Sequence, residues 1–371
     1  MNGPRFTSPV HSPRVSARLG VALGVAFGLC FLTGLASHVA QHPVGWLSWP
    51  TRPVQLYRVT QGVHVLSGIA CVPLLLAKLW SAYPRLFHRP PGASPRALAL
   101  HLAERLSILV LVTSATFELI TGVFNVAQSY PWGFAFPAAH YAAGWLAIGA
   151  ILVHLAVKLP VVRAAFADPP DDPDPATFRA RRAFLRGAWG AAGLTVLATA
   201  GVTVPLLRRG SVLAWRSTGG SQGIPVNRTA QAAGIRVPPD WRLVVAWPGG
   251  TASLGLADLA ALPQHTAELP IACVEGWSAT AHWTGVRVVD LLARVGAPTG
   301  RPVRFSSLER AGLFAASTLP GRHARDPLTL LALRVNGEVL SPDHGYPCRL
   351  ISPSRPGVLQ TKWVTRMEVL A

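Results

Sequence analysis

Cys273 lies in the stretch IACVEGWSATAHWTGVRVVDLL, between an apolar run and the sequence Glu-Gly-Trp. Three uses are open to this thiol: packing in a core, acting as a nucleophile, or binding a metal. A nucleophile needs a base, and His265 and His282 are the nearby candidates, although neither forms a recognisable Cys/His arrangement. A zinc site favours clustered Cys and His, whereas Cys348 is the only other cysteine in this half of the chain. From these observations alone, packing in a core is the favoured interpretation of Cys273, and the roles of nucleophile and metal ligand stay open.

Histidines within long apolar runs form a second set of chemically capable residues, because ionisable side chains there are costly and indicate function. His140 and His154 are 14 residues apart, which in a helix puts them on nearly the same face, ~21 Å apart along the axis. One helix with this spacing can give an axial ligand to each of two haems, a pattern that resembles di-haem cytochrome b membrane domains. His64 is the expected partner of His140. Lys78 stands where the pattern has the next histidine, so His101 is the best remaining partner of His154.

Two alternatives remain for these histidines. They can lie at the membrane surface and bind headgroups or backbone groups, an interpretation that suits the residues near the ends of the runs. His38 is also a substitute for one of the outer haem ligands.

The elements that must position these histidines are long apolar segments. The chain has 371 residues, of which 50% are hydrophobic and 13% charged, a composition too apolar for an ordinary soluble protein. Runs of about 20 residues with few charges can cross ~30 Å of hydrocarbon. Five such runs are predicted, at residues 19–40, 58–82, 103–127, 138–162 and 187–207.

The net charge of +18 would suit nucleic acid only if the basic residues formed a binding face. Instead, Lys and Arg concentrate before and between the apolar runs on one side, whereas the opposite short connections hold only Arg52 and Arg58. By the positive-inside rule the N-terminus is cytoplasmic, and an odd number of spans places the rest of the chain outside. We therefore expect no nucleic-acid partner and a lipid bilayer instead.

Residues 168–175, DPPDDPDP, predict a linker, because Pro and Asp interrupt a helix. The following RRAFLR, from Arg181 to Arg186, resembles a twin-arginine export signal, which a translocase for folded proteins recognises. A basic cluster at a membrane surface is the alternative interpretation.

From residue 220 onward, short β-rich runs broken by Gly and Pro predict a compact α+β domain of about 160 residues. Its motifs are PVNRTA (225–230), CVEGWSATAHWTGVRVVDLL (273–292), VRFSS (303–307) and the segment from LTLLALRVNGEVL to KWVTRMEVL (328–370). In this combination the region resembles the molybdopterin-binding domain of the sulfite oxidase family, which includes the bacterial periplasmic methionine sulfoxide reductase.

The resemblance implies a role for each matched residue. Cys273 would give a soft thiolate ligand to molybdenum, and Glu275, Trp277 and His282 would lie beside the metal as catalytic or substrate-pocket residues. The pterin and its phosphate would be bound by Asn227, Ser307, His344, Arg349 and Lys362, among which the cations suit a buried phosphate.

The predicted fold is a membrane α-helical bundle of about five spans, followed by an α+β molybdopterin-binding domain of sulfite oxidase fold. The predicted divisions are a four-helix, haem-binding domain at 1–167, a cytoplasmic linker at 168–186, a fifth span at 187–207 and an extracytoplasmic catalytic domain at 208–371.

The expected function is oxygen-atom transfer on a small extracytoplasmic substrate, with electrons passed through b-type haem to or from the quinone pool. Sulfite, a sulfoxide and an N-oxide all satisfy the motifs, and the electrons can run in either direction. A molybdenum enzyme with a haem-free membrane anchor and a non-catalytic binding or sensory protein are the alternatives.

Overall fold

The computed structural model describes residues 8–43, 46–84, 94–167, 174–214, 220–310, 312 and 315–371. They form two compact units. Unit 1 consists of Met1–Gly34 and Val63–Thr199, and unit 2 of Leu35–Gly62 and Ala200–Ala371. Most of the predicted linker, at 168–173, lies outside the described residues.

Unit 1 is helical. Its helices are α1 (Pro13–Gln41), α2 (Leu56–Ala82), α3 (Pro95–Ala127), α4 (Phe136–Ala167) and α5 (Pro175–Thr199), and α1 and α2 each extend into unit 2. In the part of the chain that the structure describes, α1 to α4 are long and apolar enough to cross a membrane. Their interior is small: one cluster consists of Phe27, Cys71, Leu75 and Ala115. Most of their apolar side chains face outward, as lipid-facing helices require.

The predicted fifth span at 187–207 is wrong. The helix in this region begins at Pro175 and ends at Thr199, and it is not among the four helices that qualify as membrane spans in the described ranges. Its first half holds Arg179, Arg181, Arg182 and Arg186, and its second half is rich in Ala and Gly, so it is much less apolar than α1 to α4. The chain then forms short 3-10 turns, including Pro205–Leu207. The number of spans therefore no longer places the catalytic domain outside the cell.

Unit 2 contains the predicted short strands, arranged in two sheets. The strands are β1 (Arg242–Trp247), β2 (Gly250–Gly255), β3 (His265–Ala272), β4 (Ser278–Arg287), β5 (Val303–Ser307), β6 (Ala316–Leu319), β7 (Leu330–Val335), β8 (Glu338–Val339), β9 (Arg349–Ile351) and β10 (Val364–Val369). One sheet has the order β2-β1-β10-β5-β6, with β1 and β10 parallel. The other has the order β3-β4-β7-β8, and β9 also pairs with β7.

Short helices accompany the strands of unit 2: α6 (Leu256–Ala261), α7 (Val288–Arg294) and α8 (Gly321–Ala324). Buried aliphatic and aromatic side chains from both sheets form the two largest apolar clusters of the molecule. Trp283 of β4, which is fully buried, belongs to one of them. These cores fix the ends of β3, β5 and β9, where the candidate site lies.

The connection between α1 and α2 also belongs to unit 2. Trp49 donates its indole N–H to the backbone oxygen of Ser354 at 2.6 Å, and Arg52 forms two hydrogen bonds to the carboxylate of Asp326, at 2.8 and 3.1 Å. Val54 packs against the cluster that contains Cys273. The segment that joins two membrane-type helices is therefore part of the β-rich domain.

Candidate functional site

A pocket in unit 2 brings together most of the residues predicted to bind the cofactor. It is lined by Ile224, Pro225, Val226, Asn227, Arg228, Ile271, Cys273, Trp277, Ser307, Glu309, Asp343, His344, Arg349, Gly357, Val358, Gln360, Thr361, Lys362 and Trp363. These residues come from the ends of strands and from the loops that follow them, where backbone and side-chain polar groups are free to face a ligand.

Cys273 lies directly after β3, in a tight turn. Its N–H donates to the oxygen of Trp277 at 2.9 Å, and the N–H of Gly276 donates back to the oxygen of Cys273 at 3.0 Å. Gly276 has a φ of 93°, which favours glycine and allows the turn to close. The side chain of Cys273 is 1% exposed and its sulfur lies 3.6 Å from a carboxylate oxygen of Glu275. Burial raises the pKa of this thiol well above its usual value, so a thiolate here requires a compensating cation.

Two cations line the same pocket, a buried arginine and a partly buried lysine. Arg349, at the start of β9, is 3% exposed and donates to the backbone oxygens of His344 and Gln360 at 3.1 and 3.3 Å. Its buried Nε has no hydrogen-bond partner among the described residues. Its guanidinium carbon lies 5.1 Å from the ring centre of Trp283. Burial lowers the pKa of Arg349 to about 9, because removal from water disfavours the charged form.

Lys362 is the second cation. Its ammonium group donates to the backbone oxygens of Arg228 at 2.5 Å and Asp343 at 3.0 Å. Burial, together with the charge of Arg349, lowers the pKa of Lys362 to about 7. The pocket therefore holds positive charge that an anionic ligand would stabilise.

His344 ends a 3-10 turn, Pro342–His344, beside these cations. Its Nε2 lies 2.6 Å from the backbone oxygen of Ser221, which can only accept, so Nε2 carries the hydrogen. Burial lowers the pKa of His344 to about 4, and the ring is neutral at pH 7. Gly345 follows with a φ of 108°, and a Cβ there would lie 3.1 Å from the Cβ atoms of Arg349 and Lys362. Glycine thus lets His344 and both cations converge.

The remaining predicted cofactor ligands also line the pocket. Asn227 places its amide nitrogen 3.9 Å from the sulfur of Cys273, and Ser307 at the end of β5 accepts from the N–H of Glu309 at 3.1 Å. Glu309 forms an ion pair with Arg228 at 2.8 Å. Arg228 and Glu309 were not predicted as pocket residues, and the only signal for Arg228 in the sequence is its position next to Asn227.

Of the predicted residues near the metal, Trp277 lines the pocket, whereas Glu275 and His282 are not among its lining residues. Glu275 still lies beside it, because its carboxylate accepts from the indole N–H of Trp277 at 3.2 Å. His282 is exposed on β4, where buried Ala281 and Trp283 flank it. Successive residues of a strand point to opposite faces, so the side chain of His282 points away from the face that holds Trp283.

In unit 1, the structure brings His64 and His140 together. Their ring centres are 6.3 Å apart with planes at 80°. The Nδ1 of His64 lies 2.8 Å from the backbone oxygen of Cys30, and the Nδ1 of His140 lies 3.1 Å from the hydroxyl of Thr121. A carboxylate oxygen of Glu118 lies 3.2 Å from the Nε2 of His140.

The other predicted pair, His101 and His154, shows no ring contact in the described ranges. The Nε2 of His101 accepts from Arg105 at 3.4 Å. The surroundings of His154 are ionic, because Lys78 and the Lys158–Glu104 ion pair act on its charge.

A comparison with known families matches residues 230–371 to the oxidoreductase molybdopterin binding domain. Mitochondrial sulfite oxidase from Rattus norvegicus is 32% identical over 160 residues, covering 36% of this chain and 29% of the relative. Sulfite oxidase from Arabidopsis thaliana is 33% identical over 114 residues, covering 26% and 29%. NADH nitrate reductase from Ulva prolifera is 35% identical over 100 residues, covering 24% and 12%. The chain thus spans less than a third of the length of these relatives.

Among solved structures, the sulfane dehydrogenase SoxCD from Paracoccus pantotrophus matches with a TM-score of 0.33 and 24% identity, covering 36% of this chain and 39% of that one. The family match covers β1 to β10 and contains Cys273, Ser307, His344, Arg349 and Lys362. Residues 230–371 therefore form an oxidoreductase molybdopterin-binding domain of the sulfite oxidase type.

Proposed function

We propose that this chain is a membrane-anchored molybdopterin-dependent oxidoreductase that transfers an oxygen atom to or from a small extracytoplasmic substrate. The observation that carries the proposal is the pocket itself, in which the buried Cys273 thiol and the incompletely bonded Arg349 face one space. A buried thiol that faces this space can bind a metal once its proton is released, and a buried guanidinium with an unpartnered N–H suits a phosphate. Both features fit the cofactor that the domain family binds.

The roles of the residues follow from their chemistry. Cys273 would bind molybdenum through its sulfur, and Glu275, 3.6 Å from that sulfur, would accept the thiol proton when the metal binds. Arg349 and Lys362 would donate to the phosphate of the pterin, and neutral His344, with Asn227 and Ser307, would bond its polar groups. The bound cofactor supplies two-electron oxygen-atom transfer. For a sulfoxide, two electrons and two protons give the sulfide and water.

We further propose one b-type haem between His64 and His140. Because a carbonyl oxygen faces the Nδ1 of His64, that nitrogen carries the hydrogen, and Nε2 keeps the lone pair that binds iron. Thr121 donates to the oxygen of Phe117 at 2.7 Å and can therefore accept from Nδ1 of His140, which again leaves Nε2 as the ligand atom. Both imidazoles would then offer Nε2 to one iron, and their ring centres lie 6.3 Å apart.

Two features of the membrane helices bear on this haem. Gly34 lies against the ring of His64, where a Cβ would come within 2.9 Å, and Gly122 lies beside the ring of His140. These glycines leave space around both rings. Glu118 would have to release the Nε2 of His140 before iron could bind. We restrict the proposal to one haem, because His101 and His154 lie beside charged residues and show no contact with each other in the described ranges.

Electrons would pass between the molybdenum domain and the quinone pool through this haem. Export by the twin-arginine translocase, predicted from Arg181 to Arg186, stays a prediction. It is consistent with a cofactor inserted before export.

One experiment tests both cofactors with reciprocal variants of the full chain, purified with molybdopterin supply. We expect molybdenum by metal analysis, b-type absorption bands, and reduction of dimethyl sulfoxide by an artificial electron donor. Cys273→Ser should lower turnover more than about 100-fold and keep the haem bands, whereas His64→Ala should lose the bands and keep the molybdenum.

Cys348→Ser is the matched control, because this buried cysteine bonds the oxygen of Val364 and does not line the pocket. It should keep both molybdenum and turnover. Wild-type protein with molybdenum but no haem bands would establish the haem-free anchor instead. Protein without molybdenum would establish the non-catalytic alternative.

A further inference from the structure

The first turns of α2 lie against the turn that carries Cys273, and all the residues concerned belong to unit 2. Gln61 is 5% exposed, and its side-chain amide donates to the backbone oxygen of Val274 at 3.1 Å. Val274 directly follows Cys273 in the chain. A residue of a membrane-type helix therefore bonds the Val274–Glu275 peptide, in the turn that begins at the predicted metal ligand.

The amide of Gln61 is bonded at both ends. Tyr57, one helical turn earlier and 1% exposed, directs its hydroxyl to the Oε1 of Gln61 at 3.5 Å and lies 3.0 Å from the hydroxyl of Ser37. The oxygen of Gln61 thus accepts from Tyr57 while its nitrogen donates to Val274. Because the amide has one donor end and one acceptor end, these two contacts fix its orientation.

The backbone oxygen of Val274 belongs to the turn that begins at Cys273. The turn is closed on its other side by the reciprocal bonds of Cys273 with Gly276 and Trp277. This oxygen belongs to the Val274–Glu275 peptide, the middle peptide of the turn that the bond from the Gly276 N–H to the Cys273 oxygen closes. A rotation of this peptide changes the ψ of Val274 and the φ of Glu275, and with them the positions of Cys273 and Glu275 relative to each other. A donor that holds this carbonyl therefore holds the sulfur of Cys273 and the carboxylate of Glu275 in their relative positions.

A neighbouring contact provides a comparison on the same helix. Arg58 donates to the hydroxyl of Thr280 at 2.9 Å, which lies on β4 beyond the turn. Arg58 and Gln61 both join α2 to the β-rich domain, but only the contact of Gln61 is to the residue next to Cys273. A substitution of Arg58 therefore tests only the attachment of α2 to the β-rich domain, whereas a substitution of Gln61 also tests the turn that carries Cys273.

We propose that Gln61 is a positioning residue for Cys273: its amide fixes the Val274–Glu275 peptide in the middle of the turn, and thereby the placement of the Cys273 sulfur relative to Glu275. This inference rests on the proposed function, in which Cys273 binds molybdenum. It gives the first turns of α2 a part in setting the properties of the metal site, beyond their role in the membrane-type helix.

The test uses the full chain with Gln61→Leu, which keeps the size of the side chain and removes both polar ends. We expect the molybdenum content to be retained, the Mo(V) electron paramagnetic resonance signal to shift, and kcat for dimethyl sulfoxide to fall about 5- to 50-fold with KM nearly unchanged. Tyr57→Phe, which removes only the hydroxyl that orients Gln61, should shift the signal in the same direction by less. Arg58→Gln is the matched control and should leave the signal as in wild type.

The outcomes separate this inference from the proposed function. A molybdenum-containing Gln61→Leu protein with the wild-type Mo(V) signal and kcat would overturn the positioning role and leave the proposed function standing. A shift of equal size in Arg58→Gln would also overturn it, because loosening of the domain would then account for the effect. Wild-type protein without molybdenum would instead overturn the proposed function.

Discussion

Lys362 shows how the surroundings of one pocket residue favour the binding of an anion. Its ammonium group donates to two backbone oxygens, yet burial and the charge of Arg349 hold its pKa at about 7. Asp343, Glu309 and Cys273 act in the opposite direction and only partly compensate. A phosphate at this position would favour the charged form of Lys362 and raise its pKa again.

This shift predicts a pH dependence of stability in the cofactor-free protein. An unfolded lysine keeps its proton up to about pH 10.4, whereas folded Lys362 loses it above about 7. The unfolded state therefore binds more protons between these values, and the free energy of unfolding rises with pH through this window. We expect the thermal midpoint of the cofactor-free protein to rise between pH 7 and 9, and Lys362→Met to lack most of that rise. A difference between the two proteins that does not change with pH would contradict the prediction.

Among the elements, the connection between α1 and α2 carries a testable energetic role. Arg52 bonds both oxygens of Asp326, whose side chain is only 6% exposed although that of Arg52 is 48% exposed. Without the arginine, the buried carboxylate of Asp326 would keep one hydrogen-bond donor among the described residues, the N–H of Leu328. We expect Arg52→Ala to cost about 1–3 kcal/mol of stability in unit 2, because an incompletely paired buried charge is expensive.

The measurement is thermal unfolding in detergent, followed by the fluorescence of the tryptophans of unit 2. Arg242→Ala is the control, because Arg242 and Asp258 form a 3.6 Å ion pair in which both side chains are more than half exposed. Such a pair contributes at most about 1 kcal/mol. Equal shifts of the two midpoints would show that the Arg52 contact adds no more than a surface pair.

The same elements show what local sequence can and cannot predict. The sequence predicts α1 to α4 because an uninterrupted apolar composition is a local property of the chain. It predicts the motifs around Cys273 and Arg349 because each motif is a contiguous stretch of residues. The span at 187–207 was mispredicted because its small residues resemble an apolar run, whereas the helix begins earlier, among arginines. Trp49 and Ser354 are 305 residues apart, and no local pattern indicates such a contact. His282 belonged to a matched motif, yet its place on β4 turns it outward.

At the scale of the whole molecule, the orientation in the membrane depends on the connection between α1 and α2. Four helices qualify as spans among the described residues, and four crossings from a cytoplasmic N-terminus would by themselves leave the chain after α4 inside the cell. However, Leu35–Gly62 belongs to the same compact unit as the molybdopterin domain. This segment is one of the connections poor in Lys and Arg, which the positive-inside rule places outside. The domain would then lie outside with it.

This orientation predicts the accessibility of introduced cysteines in intact cells. Val339 on β8 is 54% exposed, so a cysteine at this position should disturb little. We expect a membrane-impermeant maleimide to label Val339→Cys in intact cells as strongly as after the membrane is opened. The wild-type chain, with three buried cysteines and a half-buried Cys30, sets the background. Labelling of Val339→Cys only after the membrane is opened would place the catalytic domain in the cytoplasm, and would remove the need for folded export of a loaded cofactor.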